Sequence, residues 1–266
     1  MDAALPDRRT FLIGASALVA AACSGGADGG GGDTGATPTT TAAADGVAST
    51  TTADPSGTAD GLEPLTAAAF AALPICAVPP ATTAGPFPTI EQLDRRDVTE
   101  GYPGHPLRLG IRVVDETCEP IPGAEVEIWH ADATGDYSSF VDGGSGKDEG
   151  EGTTFCRGFQ TANADGILEF QTIYPGWYEG RAVHIHVRAR VGGDQVLTSQ
   201  LYFDEAYTEA VYASSPYAEF GSPDTSWASD GIAVDPGLDG SGIVLTEATT
   251  HNGAGSLGLV NLGLPV

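Results

Sequence analysis

The stretch Val183-His184-Ile185-His186-Val187-Arg188-Ala189-Arg190-Val191 alternates apolar and polar residues without a break. Successive side chains of a strand point to opposite faces. Val183, Ile185, Val187, Ala189 and Val191 therefore share one face, and His184, His186, Arg188 and Arg190 share the other. Alternation sustained over this length predicts a half-buried β-strand rather than a helix.

The same pattern recurs on both sides. Leu107, Leu109, Ile111 and Val113 alternate with Arg108 and Arg112, and residues 115–123 supply turn chemistry. Ala124, Val126 and Ile128 then alternate with Glu125, Glu127 and Trp129. Residues 155–161 and 167–172 flank Asn163-Ala164-Asp165-Gly166, a hairpin signal because Asp-Gly adopts positive φ cheaply. Residues 195–203 give one more strand, while only 65–73 and 204–212 carry helix signals. Residues 138–153, rich in glycine and acids, read as a long surface loop. The prediction is an all-β sandwich.

The chain has 266 residues with 36 Asp+Glu against 11 Lys+Arg, a formal charge of −25. Residues 66–266 keep 28 acids and 9 bases, so the acidity belongs to the domain as well as to the leader. Phosphate backbones and anionic headgroups need basic clusters that are absent here, which argues against nucleic-acid and polybasic membrane binding. The length suits one domain with extensions.

Arg8-Arg9 precedes an apolar run over residues 11–22 that is too short to span a bilayer and fits an export signal of the twin-arginine type. The run ends Ala20-Ala21-Ala22-Cys23, which resembles a bacterial lipoprotein cleavage site with Cys23 as the lipidated residue. Residues 24–61 are almost entirely Gly, Ala, Thr, Ser and Asp, with no aromatic residue and Val47 as the one large aliphatic, so they cannot bury enough apolar surface to offset ordering entropy. The expected organisation is an export signal (1–23), a flexible, disordered linker (24–61) and a folded domain (62–266). The expected location is the outer face of the cell membrane as a lipoprotein, or secreted or periplasmic. In an oxidising compartment Cys76, Cys118 and Cys156 allow one disulfide and one leftover thiol. Three pairings are open; Cys76–Cys118 is favoured, with Cys156 read as a buried strand residue.

The chemistry concentrates at His184-Ile185-His186. At i and i+2 on a strand, two imidazoles project side by side, an arrangement suited to a transition metal. Tyr178 lies just upstream and Tyr137 further upstream. A phenolate is a hard anionic donor that favours Fe(III) over Zn(II) or Fe(II).

Further motifs surround these residues: Thr83-Ala84-Gly85-Pro86-Phe87, Pro122-Gly123-Ala124-Glu125-Val126-Glu127-Ile128-Trp129-His130-Ala131-Asp132 and Gly135-Asp136-Tyr137-Ser138. Phe155-Cys156-Arg157-Gly158-Phe159-Gln160, Thr172-Ile173-Tyr174-Pro175-Gly176-Trp177-Tyr178, Arg181-Ala182-Val183-His184-Ile185-His186 and Ser199-Gln200-Leu201-Tyr202-Phe203 follow in order. Over residues 76–220 the chain resembles the intradiol ring-cleavage dioxygenases, especially the iron-bearing chain of protocatechuate 3,4-dioxygenase and exported relatives. The resemblance implies a transthyretin-like or immunoglobulin-like β-sandwich and a mononuclear non-haem Fe(III) held by Tyr137, Tyr178, His184 and His186 with a hydroxide. Two tyrosinates and a hydroxide neutralise Fe(III), which makes burial of the site affordable.

In such enzymes a small aromatic diol binds as a dianion, displacing the hydroxide and the tyrosinate at the position of Tyr178. Both atoms of O₂ enter, and the ring opens between the hydroxylated carbons to a muconate-type diacid. The resemblance assigns Arg181 to stabilising charge on the ring, and Gln200 to the O₂ and substrate side. His105, His130, His251 and Trp129 have no motif support and are read as structural, and Tyr174 as core or near the site. Pro88 follows Phe87 where many relatives have Tyr, and residues 62–75 leave no room for the helical dimerisation domain of cytoplasmic catechol 1,2-dioxygenases. The preferred catechol and the existence of a homo-oligomer stay open. The rival reading is a tethered extracellular β-sandwich binding module without catalysis. A copper or zinc site at the histidine pair would need both tyrosines away from the metal.

Overall fold

The computed structural model describes residues 61–73, 78–90, 92–141, 143–144, 150–233 and 242–266. The export signal, all of the linker but Gly61, and Cys76 lie outside the described residues. Among the described residues there are eight strands: β1 (Pro106–Val114), β2 (Glu125–Trp129), β3 (Arg157–Thr161), β4 (Ile167–Ile173), β5 (His184–Val191), β6 (Asp194–Phe203), β7 (Gly242–Thr250) and β8 (Gly253–Gly263). One layer runs β3-β2-β5-β6, and the other runs β7-β8-β1-β4. They join where Tyr202 and Phe203 of β6 pair in parallel with Gly242 and Ile243 of β7. The expected all-β sandwich is what the chain forms.

The interior between the layers is filled by the alternating apolar residues. Leu107, Leu109, Ile111 and Val113 of β1 and Val126 and Ile128 of β2 are buried, with Ile185 and Val187 of β5 and Leu201 of β6 in the same cluster. Each such side chain contributes about 1.5–3 kcal/mol through removal from water. The β3–β4 hairpin turns at Asn163-Ala164-Asp165-Gly166, where Gly166 has φ 75° and the Asn163 side chain accepts from the backbone N–H groups of Asp165 and Ile167. Two short helices, α1 (Ala67–Phe70) and α2 (Glu205–Tyr212), fall within the expected helical stretches, and Asp204 caps α2 by accepting from Tyr207 N.

Several strand faces expected to meet solvent are covered. Leu65 and Phe70 pack over Gly110 of β1, and Arg108 is buried in an ion pair with Glu169 on β4. On the other layer Glu127 of β2 is buried between Arg188 and Arg190 of β5. These cross-strand pairs let charged residues line a covered face.

No strand is expected at β7, and at β8 Gly253, Gly255 and Gly258 weaken the strand signal. Packing explains one of them: a Cβ on Gly255 would lie 2.2 Å from Pro106 O. Cys156 also departs from expectation. It lies one residue before β3, in a turn at φ 54°, as a buried free thiol. Cys118 is disulfide-bonded, and its favoured partner Cys76 lies outside the described residues.

Candidate metal centre

Three segments deliver the donors. β5 supplies His184 and His186, paired with Tyr202 and Gln200 of β6, and His186 also sits opposite Trp129 of β2. The loop after β2 supplies Tyr137. Asp132 folds this loop by accepting from the N–H groups of Thr134 and Asp136. Tyr137 N then donates to Gly143 O at 2.9 Å. The loop after β4 supplies Tyr178 and is fastened to the first loop by Gly176 N donating to Asp132 O at 2.8 Å. Only glycine fits there, since a Cβ on Gly176 would lie 2.2 Å from Asp132 O.

Four donor atoms converge on one point. The Oη atoms of Tyr137 and Tyr178 each lie 3.3 Å from His184 Nε2, and His186 Nε2 lies 3.2 Å from it. Tyr137, His184 and His186 are buried, while Tyr178 is half-buried and forms the open side. His184 Nδ1 donates to Ala182 O at 2.6 Å, which leaves Nε2 unprotonated. A single in-plane lone pair then faces three polar atoms and cannot satisfy them all by hydrogen bonding. Donors about 2.0–2.1 Å from a shared first-row metal ion, at roughly right to tetrahedral angles, lie about 3.0–3.4 Å apart. The observed separations match that spacing.

The protonation states agree with ligation. Burial, reinforced by Arg181, pushes His184 down to about 3, and burial with His184 alongside pushes His186 well below its ordinary value. Both imidazoles are therefore neutral. Burial, with Tyr178 adding to it, raises Tyr137 well above the ordinary phenol. Without a cation the phenols keep their protons; a trivalent ion would stabilise the phenolates. Among the described residues no three His, Cys, Asp or Glu side chains group as a metal site, so the tyrosines are indispensable to this one.

Arg181 and Gln200 join the same cluster. Arg181 Nη1 donates to Tyr178 Oη at 3.3 Å, and its Nη2 donates to Gln200 Oε1. Gln200 is fully buried in it: Tyr202 donates to its Oε1 at 2.9 Å, and its Nε2 donates to Thr83 O at 3.1 Å. The motif 83–87 covers the centre. Phe87 stacks on Tyr137 with centroids 4.5 Å apart, and Gly85 lies against His186. A cavity of ≈ 130 Å³ lined by Ala182, Val183, Phe203, Thr208 and Trp227 lies beside the centre, and none of the four donors lines it.

Gly85 yields a prediction. Its φ is +68°, and an added Cβ would lie 3.1 Å from His186 Cε1. The ring cannot retreat, because its other neighbour is Trp129, stacked with centroids 4.9 Å apart. Gly85→Ala is expected to cost about 1 kcal/mol or more in stability and to lower metal occupancy several-fold. Thermal melting and metal analysis check it; an unchanged metal content refutes the contact argument.

Two residues that build the site were given no role from the sequence, although Arg157 lies within the motif 155–160. Arg157 donates from Nε to Ser138 Oγ and from Nη2 to Ser138 O, both at 2.7 Å, and from Nη1 to Phe87 O at 3.2 Å. It ties the Tyr137 loop to Phe87. Asp230, buried, accepts from Arg181 Nε at 3.0 Å. Trp129 does more than pack: it lies between His186 and the Arg188 guanidinium, which sits 5.0 Å from its ring centroid. The remaining histidines stand apart from the centre. His130 is buried on Thr172, His105 bonds Ser256, and His251 bridges Gln171 and Asp97. Tyr174 is in the core with its hydroxyl on Thr208.

Residues 87–216 match the family model described as Dioxygenase. The fold is similar to an intradiol ring-cleavage dioxygenase from Tetranychus urticae, with 31% identity and a TM-score of 0.64 over 71% of this chain and 95% of that one. It is also similar to the dioxygenase domain of a dioxygenase–carbohydrate-binding protein fusion from Streptomyces sp. SirexAA-E, with 29% identity and a TM-score of 0.53 over 71% and 99% of the two chains. Among curated relatives, a chlorocatechol 1,2-dioxygenase from Rhodococcus opacus is 28% identical over 46% of this chain and 52% of its own length. A catechol 1,2-dioxygenase from Pseudomonas sp. (strain EST1001) is 30% identical over 46% of each. The chain thus spans about half the length of the curated relatives it matches. With a similar solved structure covered almost end to end, and the two tyrosines and two histidines gathered at one point, the chain belongs to the intradiol ring-cleavage dioxygenase family.

Proposed function

We propose that this chain is a non-haem Fe(III)-dependent dioxygenase that cleaves a catechol-type ring between its two hydroxylated carbons, giving a muconate-type diacid with both atoms of O₂. What supports this above all is the convergence of the Tyr137 and Tyr178 oxygens and the His184 and His186 nitrogens at 3.2–3.3 Å. A sandwich that only binds partners has no reason to bury such a set. The relatives named for catechol and chlorocatechol 1,2-cleavage support the substrate class.

Ferric iron held by these four residues would supply the Lewis acidity that binds a diol as its dianion and the electron acceptor that lets the ring react with O₂. The protein's own groups do the rest. Tyr178 Oη, on the open side, would accept a diol proton, and Arg181 Nη1 stabilises that oxygen while it is charged. Tyr137, buried under Phe87, stays in place. The Arg181 guanidinium stabilises negative charge developing on the ring. Gln200, fixed by Arg181, Tyr202 and Thr83, borders the reacting face. We further propose that the twin-arginine leader exports the enzyme and that lipid on Cys23 tethers it outside the cell.

Turnover of catechol under ¹⁸O₂ tests the activity. The expected product is a ring-opened diacid carrying two labelled atoms. A singly labelled product, cleavage beside the diol, or absence of O₂ uptake by iron-loaded protein overturns it and favours the binding-module reading.

A further inference from the structure

Arg181 holds a demanding position. Its side chain is only 13% exposed, and it must present charge to Tyr178 and Gln200 without folding back onto the nearest acid. That acid is Asp230, whose side chain is fully buried. It lies in the segment between α2 and β7, outside the residues matched to the family model.

The way Asp230 meets the arginine matters. Both carboxylate oxygens accept from Arg181 Nε, at 3.2 and 3.0 Å, rather than from the terminal nitrogens. The charge is therefore braced from its stem edge, and both terminal nitrogens are directed at the site, Nη1 to Tyr178 and Nη2 to Gln200. The carboxylate is itself fixed by backbone donors. Oδ2 accepts from Ala182 N at 2.9 Å, and Oδ1 accepts from Ile232 N at 2.8 Å and Ala233 N at 3.3 Å. Ala182 is also the residue whose carbonyl accepts from His184 Nδ1. One carboxylate thus braces the arginine side chain and the backbone residue that orients a histidine.

We propose that Asp230 is a positioning residue of this centre, aiming the Arg181 guanidinium at the reacting ring and holding Ala182 for His184. The proposal rests on the dioxygenase reading for its catalytic consequence, but the brace itself is independent of it. Outer-sphere partners of this kind typically change activity or metal affinity by about 10- to 100-fold when removed, because a fully satisfied polar network fixes one geometry.

The test compares Asp230→Asn, Arg181→Ala and the double variant in the full iron-loaded protein. Asp230→Asn is expected to lower kcat per bound iron by about 10- to 100-fold with little change in KM. In the double variant kcat per bound iron is expected to be no lower than in Arg181→Ala alone, since Asp230 acts on turnover through that arginine, while its hold on Ala182 and His184 is read as iron content. Independent multiplicative losses, or wild-type kcat per iron in Asp230→Asn, overturn the proposal. A second measurement needs neither metal nor turnover: in the metal-free protein the Arg181 Nε–H is expected to exchange slowly with water by NMR. Rapid exchange in the wild type overturns the brace whether or not the variants fold. Inactive wild-type protein would instead sink the dioxygenase reading and leave this exchange measurement to decide the brace.

Discussion

His184→Ala is expected to leave a folded protein with less than about a tenth of the wild-type iron and no measurable ring cleavage. His184 is the hub of the donor set: both phenolic oxygens and the second imidazole are within 3.3 Å of its Nε2, and its Nδ1 is committed to Ala182 O. Removing it leaves two phenols and one imidazole with nothing to draw them together. The hydrophobic interior lies on the opposite face of β5, at Ile185 and Val187, so the sandwich should survive. Metal analysis with far-UV circular dichroism separates the outcomes. Full iron content in the variant would mean that the ion sits elsewhere.

Arg181→Ala is expected to keep iron and lower kcat by about 10²–10³-fold, the scale of losing one preorganised charge donor. Its guanidinium touches Tyr178 Oη but donates no lone pair to a metal. The variant also leaves Asp230 buried without its cation, a change that costs about 3–5 kcal/mol when nothing compensates. The Ala182, Ile232 and Ala233 N–H groups offset part of that cost. Steady-state kinetics normalised to bound iron, with a thermal melt, measure both effects. Unchanged turnover per iron would remove the catalytic role of Arg181.

Much of this organisation could be read in the residues themselves, for a simple reason. Period-two alternation in 183–191 places His184 and His186 on one face, and the tyrosines at 137 and 178 join them. Alternation separates faces but does not say what covers the polar one. Arg188 and Glu127 therefore read as outward positions, whereas Trp129, residues 83–87 and the two tyrosine loops enclose that face. β8 was obscured because Gly255 and Gly258 serve close packing that a propensity argument counts as weakness. Asp230 had no signal at all. It stands in Ser226-Trp227-Ala228-Ser229-Asp230-Gly231, ordinary turn chemistry, and gains its role only when the chain returns to Arg181.

Iron analysis and a visible absorption spectrum of the purified protein, before and after anaerobic addition of catechol, test the central claim most directly. The account predicts about one iron per chain, a broad tyrosinate-to-Fe(III) band, and a shift of that band when the diol displaces Tyr178. A protein that stays colourless after ferric reconstitution, or a band unmoved by catechol, would contradict it.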